Sequence, residues 1–321
     1  MMPMHRRPLS CLLLPLFAAT QLLAQKMPLP DGSGRIVQMF DLNQLHEKRT
    51  EFEPPQLGLR PAAKPDTEQP SSIVGLFRRL IDPPLQPGDD LRTLGDRWLV
   101  LLGSPAQAAS AERLWHAALA KKEDPIDVQV HMFEIDAKAF APLQEKLVAV
   151  QREQGMAFEG MLEKDAASAF RAALAKAATQ QLDAPRLCMN PLQRGTMSMV
   201  KQTSYVKDFT VTRTGDTLVA DPVVDVVQDG NITDVIATWL PDGLLGLSCD
   251  VTFQELQQPI PQFETTLGPG LPPVKIQLPR VTGVRLRQTA VLGKDSMVVL
   301  AAQRASGEWL CATVQAGPLP K

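Results

Sequence analysis

The sequence predicts an α+β protein, in which a small α/β domain precedes a domain rich in antiparallel β-strands. In the first domain, residues with helical periodicity alternate with short apolar runs. In the second, short runs that alternate apolar and polar residues are separated by turn residues, which is typical of antiparallel sheets with one buried face. Hydrophobic residues make up 44% of the 321 residues, so a disordered chain is excluded.

Residues 1–24 have the pattern of a secretory signal peptide. Arg6 and Arg7 form a basic region, and the nearly apolar run over residues 11–24 ends in a small residue, Ala24. This run is shorter than the roughly 20 residues that a membrane-spanning helix needs. We therefore expect cleavage, and an uncleaved anchor is the alternative.

Cleavage after Ala24 predicts that the mature protein begins close to Gln25 and lies outside the cytoplasm. N-terminal sequencing of protein extracted from the cell envelope should start at or near Gln25, because the apolar run has been removed. A retained Met1 would contradict this prediction.

Two segments separate the cleavage point from the first domain. Residues 25–50 are an N-terminal strand segment, in which residues 35–42 are predicted to form a short strand. Residues 51–72 carry five prolines, which disfavour helices and interior strands alike. This stretch is therefore predicted to be an extended, Pro-rich linker.

Residues 73–136 are predicted to form the small α/β domain, which contains two helices. Ser72 can cap the first helix, and Ser104 can cap the second, which is expected over residues 106–122. The apolar face of the first helix would consist of Ile73, Leu76, Phe77 and Leu80.

Residues 97–102 and 126–136 are the predicted strands of this domain. Trp115 lies on the apolar face of the second helix, so we expect it to be buried against residues 97–102.

The remainder of the chain divides into a helical connector and a β domain. Residues 137–185 are predicted to be the connector, because residues 141–182 are rich in alanine and Pro185 follows them. The β domain is expected over residues 186–316, with strands at 205–213, 223–227, 232–240, 245–254, 281–292, 296–303 and 309–315.

Three cysteines remain after removal of Cys11 with the signal peptide: Cys188, Cys249 and Cys311. Outside the cytoplasm they can form one disulfide and leave a free thiol, or remain three buried thiols. Buried thiols are the favoured interpretation, because free cysteine is among the most buried residue types.

Neither the charge nor the motifs predict catalysis or nucleic-acid binding. The formal net charge of −2 argues against a nucleic-acid partner held by bulk electrostatics. The chain has no zinc-protease, nucleophile-elbow, P-loop or dinucleotide motif, so no catalytic, cofactor-binding or metal-binding residue is predicted. His46, His116 and His131 fall in different elements, and Asn231 begins a glycosylation triplet that is common by chance.

One stretch of the small domain resembles a family of envelope proteins. Residues 97–105 read RWLVLLGSP and lead through a helix into IDVQVHMFEID at residues 126–136. This order resembles the strand, "TGSP"-type turn, helix and "VLVEVRIVEVD"-type strand of the bacterial secretins. Secretins are the gated outer-membrane pores of type II and type III secretion and of type IV pili.

A second stretch carries the same resemblance. Residues 183–187 read DAPRL and, with residues 197–206, are similar to the family's "SAPRL…NGQ.A.I.V…Y" opening. Residues 226–235 and 241–243 look like its "VGI.L.V.P.I..DG" strands. The resemblance covers roughly residues 92–303, about two thirds of the chain.

The resemblance implies a homo-oligomeric ring in the outer membrane. Each copy would contribute strands of its secretin-homology domain to one shared barrel, and the small ring-building-type domain would stack the copies. The expected function is protein secretion, as in the type II system, with other secretion-system envelope proteins as partners and no cofactor.

The chain departs from the family pattern at two places. It runs from Leu300 to Trp309 without the Val-Pro-x-Leu-Gly-x-Ile-Pro-type segment that precedes the last strands of the family. The segment Pro261–Pro279, with five prolines, takes the place of the inner-gate hairpin. Because each proline removes a backbone donor, this segment is predicted to be a mobile loop or an extended arm.

An alternative function is a periplasmic scaffold or binding module with a degenerate secretin fold and no pore. The missing terminal segment favours this alternative. Lys207 interrupts the predicted apolar face formed by Tyr205, Phe209 and Val211, which favours either a soluble, half-buried sheet or a position near the membrane interface. A lysine that faces lipid at the middle of a bilayer costs about 2–4 kcal/mol. An enzyme of the envelope is the third hypothesis, and no motif supports it.

Overall fold

The computed structural model of the protein describes residues 25–28, 34–45, 57–58, 72–95, 97–152, 155–214, 217–268, 272–304 and 306–319. The predicted signal peptide and most of the predicted linker lie outside the described residues. The predicted α+β class is confirmed. In the described part of the chain, no helix is long and apolar enough to cross a membrane.

The described helices and strands follow one another along the chain in a fixed order. The helices are α1 (Ile73–Leu80), α2 (Pro105–Ala120), α3 (Ala137–Gln144) and α4 (Lys164–Ala177). The strands up to residue 162 are β1 (Gln25–Pro28), β2 (Ile36–Asp41), β3 (Asp90–Leu94), β4 (Trp98–Gly103), β5 (Ile126–Ile135), β6 (Val148–Arg152) and β7 (Gly155–Leu162). The later strands are β8 (Ala178–Asp183), β9 (Arg186–Met189), β10 (Arg194–Thr214), β11 (Thr217–Trp239), β12 (Leu245–Leu256), β13 (Gln262–Thr265), β14 (Val274–Gln277), β15 (Val281–Leu292), β16 (Met297–Gln303) and β17 (Trp309–Pro318).

The small domain is a sheet of order β1-β2-β4-β3 with α1 and α2 packed on one face. Both helices are capped by the serines that the sequence predicts, Ser72 and Ser104. The Ser72 hydroxyl accepts a hydrogen bond from the amide of Gly75 at 3.1 Å. Ser104 and Gln107 form a reciprocal capping box, in which the amide of Ser104 donates to Gln107 Oε1 at 2.6 Å. Local hydrogen bonding therefore sets both helix starts.

Strand β5, which covers most of residues 126–136, does not pair within the small domain as predicted. It lies at the centre of a second sheet, where it pairs with β17. The reason is that both faces of β5 are apolar: Val130 and Met132 enter one core, while Phe133 and Ile135 enter another. A strand that is buried on both sides belongs in the middle of a layered sheet.

The predicted helical connector is helical only in α3 and α4. Strands β6 and β7, which lie between these helices, form a hairpin, because β7 also pairs with β16. The residues after α4 form strand β8, which pairs with β5. Alanine content reports only local propensity, which this long-range pairing overrides.

The β domain consists of two sheets that pack face to face. The seven-stranded sheet has the order β6-β7-β16-β17-β5-β8, with β9 beside β5 at the same edge as β8. The four-stranded sheet has the order β10-β11-β12-β15. Helices α3 and α4 cover the far face of the seven-stranded sheet. The core shared by the two sheets includes Val128, Val130, Met132, Val235, Leu247, Cys249, Val251, Leu286, Leu300, Leu310, Ala312 and Val314.

Two strands that are predicted separately, residues 223–227 and 232–240, are parts of the single 23-residue strand β11. Gly230 lies between them and has φ +134°. A Cβ at this position would lie 2.1 Å from the carbonyl oxygen of Met199 on the neighbouring strand. The glycine therefore allows close approach within a continuous ladder and does not end the strand.

The segment Pro261–Pro279 contains an antiparallel hairpin, so the prediction that its prolines prevent a ladder is wrong. Residues of β13 pair with residues of β14, and Glu264 stands opposite Lys275. Pro261 lies before β13, Pro272 and Pro273 lie before β14, and Pro279 lies after it, so these four prolines take no part in the ladder. Pro269 lies outside the described residues.

Cys188, Cys249 and Cys311 are all free. Cys249 and Cys311 are buried, as favoured from the sequence, and burial raises the pKa of the Cys311 thiol to about 12. Cys188 in β9 is exposed, so the expectation of burial is wrong for this residue.

Candidate functional site: an amphipathic hairpin

The hairpin β10–β11 extends far beyond the rest of the four-stranded sheet. Its ladder runs from Arg194 opposite Ile236 to Thr214 opposite Thr217. The ladder between β11 and β12 ends earlier, at Gly230 opposite Gln254. The half of the hairpin beyond this point, which we call the distal hairpin, therefore has no strand of β12 beside it.

A β-bulge at Lys207 determines how the side chains of the distal hairpin are arranged. The register shifts between Val206, which pairs with Val224, and Asp208, which pairs with Val223. The extra residue reverses the alternation beyond it, so that Phe209 falls on the face of Val206.

The sequence-based expectation for this strand is therefore wrong. A regular strand would place Tyr205, Phe209 and Val211 on one face with Lys207 among them. In the structure Tyr205 is on the opposite face. The ammonium group of Lys207 lies 3.2 Å from Asp225 Oδ2, and Asp225 is the cross-strand partner of Tyr205. The lysine accordingly does not interrupt an apolar face.

One face of the distal hairpin, which we call the apolar face, carries eight apolar residues. Cross-strand partners share a face, so the register assigns them directly. Three of them are substantially exposed: Val224 by 59%, Val211 by 41% and Leu218 by 40%. Arg213, near the turn, is the charged residue of this face. The eight residues are Val206, Phe209, Val211, Leu218, Ala220, Pro222, Val224 and Val226.

The opposite face, which we call the polar face, has a different composition. Asp221 is the partner of Thr210, and both are exposed. Val219 and Val223 also lie on this face. Asp208 and Thr212 lie beyond the bulge on this face, and Asp225, opposite Tyr205, lies before it. The distal hairpin thus has one apolar side and one side suited to water.

The segment that carries β13 and β14 lies on the polar-face side of the hairpin. Tyr205 and Val227 of that side pack with Leu256, Ile260 and Val281. The side-chain oxygen of Gln277, in β14, also accepts a hydrogen bond from the amide of Val206 at 2.8 Å. The segment therefore shields the base of the polar face, while the apolar face stays uncovered by described residues.

A row of charges fixes the register of the four-stranded sheet below the distal hairpin. Asp234 and Asp250 stand directly opposite each other on β11 and β12. Arg194 binds Asp234 at 2.8 Å, and Arg285 and Arg287 bind Asp250 at 2.8 and 2.9 Å. Each carboxylate is thus neutralised from an outer strand, and a slip of one residue would separate these pairs.

The small domain packs on the same face of the four-stranded sheet as this row of charges. It lies near the end of the sheet that is farthest from the distal hairpin. A Cβ on Gly246 would lie 2.7 Å from Leu80 Cδ1 of α1. Ile236 and Leu240 belong to the core of the small domain. The small domain and the four-stranded sheet therefore share buried surface.

Both sheets of the β domain have open edges within the described residues. In the four-stranded sheet the edge strands are β10 and β15. In the larger sheet one edge is β6, and β8 and β9 share the other. All neighbouring strands in both sheets are antiparallel.

His116 and His131 do not come together, and His46 lies outside the described residues. His131 lies in β5 and is half-buried; burial, with a smaller contribution from Arg171, lowers its pKa. His116 lies on α2 at 3.9 Å from Glu112. Asn231 is 7% exposed, so its glycosylation triplet is not accessible in the folded chain. Within the described residues, no group of three His, Cys, Asp or Glu side chains could hold a metal ion.

No protein-family profile matches the chain, and no curated protein matches it. Among solved structures, it is similar to the Salmonella SPI-1 type III secretion injectisome secretin InvG, with 11% identity, a TM-score of 0.32, and 90% of this chain and 88% of that chain covered. A second structure, of the InvG secretin domain from the Salmonella SPI-1 injectisome, has 12% identity and a TM-score of 0.29, with 78% and 80% covered. The V. cholerae type IV competence pilus secretin PilQ has 10% identity and a TM-score of 0.27, with 78% and 76% covered.

All three are secretins. The features of this chain that bear on function are the distal hairpin and the open edges of its sheets. Sequence reasoning missed the apolar face, because the strict two-residue alternation that it assumed does not hold across Lys207. The signal that could have revealed the face is the pattern of Val206, Phe209 and Val211, which alternates only if one residue is skipped.

Proposed function

We propose that the protein is a subunit of a multimeric outer-membrane pore for protein secretion, of the secretin type. The observation that carries the proposal is the apolar face of the distal hairpin. This face carries eight apolar residues, of which five are exposed and three, Val206, Phe209 and Ala220, are half-buried. The other face carries aspartates and threonines together with Val219 and Val223. A strand pair that separates lipid from a water-filled space has this composition.

The dimensions of the apolar face support a place in the membrane. On β11 the apolar face extends over residues 218–226, and these nine residues fall within the roughly 9–11 that a tilted strand needs to cross a membrane. Arg213 lies at the end of this face, where its guanidinium can reach the membrane surface. The bulge removes the objection that Lys207 would face lipid, because Lys207 pairs with Asp225 on the polar face.

The strand count supports a ring of copies. Because the four-stranded sheet has an even number of antiparallel strands, its two edge strands, β10 and β15, run in opposite directions. When β15 of one copy lies beside β10 of the next, the new pair is therefore antiparallel. The larger sheet has six strand positions, so its two edges meet in the same way. Both sheets can consequently continue around a closed ring and leave no unpaired edge.

The small domain supports contacts between neighbouring copies on a second level. The face of its sheet that points away from the helices carries half-buried apolar residues at Val37, Met39, Val100 and Leu102. An apolar sheet face of this kind is suited to packing against the next copy. We further propose a non-enzymatic role in the cell envelope, with other secretion-system envelope proteins as partners.

Electron microscopy of the mature protein, extracted from envelopes with detergent, tests the proposal. Rings are the expected result, because the open edges β10 and β15 are satisfied only by neighbouring copies. A monomeric protein in the periplasmic fraction would overturn the proposal and favour the scaffold or binding module.

Cysteine cross-linking tests the same edges in the cell. In a Cys188→Ser background, Thr289→Cys on β15 is combined in turn with Ser198→Cys, Val200→Cys and Gln202→Cys on β10. At least one pair should give a ladder of multimers under oxidising conditions. Glu145→Cys, which lies after α3, is the matched control and should give none.

A further inference from the structure

Arg304 joins the two sheets of the β domain. Its guanidinium contacts the carboxylate of Glu134, in β5 of the seven-stranded sheet, and the carboxylate of Glu255, in β12 of the four-stranded sheet. It also lies over the ring of Phe253, 5.1 Å from the ring centre. Its side chain is only 9% exposed.

The backbone of Arg304 is held firmly in the turn between β16 and β17. Its amide donates to the carbonyl oxygen of Glu308 at 2.8 Å, and its own carbonyl oxygen accepts from the amide of Gly307 at 3.0 Å. The guanidinium is therefore held on the seven-stranded sheet, and Glu255 of the four-stranded sheet binds it there.

Glu255 lies immediately before the segment that carries the β13–β14 hairpin. Two residues later, the amide of Gln257 donates to the carbonyl oxygen of Arg280 at 2.8 Å, which closes the two ends of this segment. We call this closure the neck. The ion pair between Arg304 and Glu255 thus attaches the neck to the opposite sheet.

The space beside this ion pair is not filled. A cavity of about 260 Å³ is lined by Arg304, Glu255, Phe253, Gly283, Met156 and neighbouring residues. Close-packed interiors resist displacement, whereas an open cavity beside the neck leaves it room to move. The neck itself continues the ladder of β12 and β15, in which Leu256 pairs with Val281. The contact between Arg304 and Glu255 is what ties it to the opposite sheet.

We propose that Arg304 is an ionic latch that holds the neck against the seven-stranded sheet and so restrains the β13–β14 hairpin. Release of Glu255 leaves the segment attached to the distal hairpin by the apolar cluster around Tyr205 and by the hydrogen bond to Gln277. The consequence for permeability rests on the proposed function: in a pore the hairpin lies on the water-filled side, so the latch limits how far it can swing.

Hydrogen–deuterium exchange of the mature protein tests the latch. Glu255→Gln keeps the shape of the side chain and removes its charge, and the amides of β13 and β14 should then exchange about threefold faster or more, because local opening is easier. Glu134→Gln should have the same effect, since it removes the charge that holds the guanidinium of Arg304 on β5. Glu308→Gln is the matched control, because its carboxylate lies 3.9 Å from Arg304 and bridges no second sheet; no change is expected.

Two outcomes would overturn the latch. Unchanged exchange in β13 and β14 of Glu255→Gln would mean that the ion pair does not restrain the hairpin. Equal acceleration of amide exchange in β16 and β17 would mean that the ion pairs of Arg304 stabilise the β domain as a whole and not the hairpin in particular. The measurement is valid for a ring or a single copy, so it does not depend on the pore. Electron microscopy of the same samples reports separately on ring formation.

Discussion

Replacement of Trp115 by alanine is expected to lower the free energy of unfolding of the small domain by about 3–5 kcal/mol, the usual cost of emptying a large buried site. The indole is 2% exposed, and its ring centre lies 5.2 Å from that of Phe40 and 6.5 Å from that of Phe77. Leu99 and Leu101 of β4 belong to the same core, as the sequence predicts. The residual cavity would lie between both helices and the sheet.

Native-state hydrogen exchange of the amides in α1 and α2 measures this loss locally, which avoids the assumption that the whole chain unfolds in one step. His116→Ala is the matched control: it is the next residue, its side chain is 48% exposed, and the expected change is within about 0.5 kcal/mol. A loss below about 1 kcal/mol for Trp115→Ala would show that this face of α2 is not a core.

Val211→Lys is expected to abolish assembly in the outer membrane, whereas Thr212→Lys should leave it intact. The two residues are adjacent and both exposed, but the register places Val211 on the apolar face and Thr212 on the polar face. A lysine that faces lipid at mid-bilayer costs about 2–4 kcal/mol, and a ring incurs this cost in every copy. On the polar face the same charge remains in water.

Fractionation of envelopes, together with electron microscopy of the extracted protein, distinguishes the outcomes of this pair. Loss of rings for Val211→Lys alone is the expected result. Rings with both variants would mean that the apolar face does not meet lipid. Loss of rings with both variants would mean that any lysine disturbs the distal hairpin, and the assignment of its two faces would be wrong.

Local chemistry was readable from the sequence wherever neighbours along the chain decide the structure. Ser72 and Ser104 bond to amides only three residues away, so both helix starts could be predicted. The alternation of Leu245, Leu247, Cys249 and Val251 predicted one buried face of β12, and these residues do lie in the core between the sheets. Of the candidate site, the sequence indicated the strands and the family resemblance but not the faces.

Features that depend on partners distant in the sequence could not be predicted, because their energy comes from the pairing itself. Strands β6 and β7 form a hairpin since β16, more than 130 residues later, supplies the ladder for β7. The bulge at Lys207 exists only relative to the register of β11, and it decides on which face of the hairpin Phe209 lies. Arg304 contacts Glu134, 170 residues away, only because two sheets stack. Composition and periodicity describe each strand alone, whereas register, bulges and ion pairs between sheets arise when the strands are brought together.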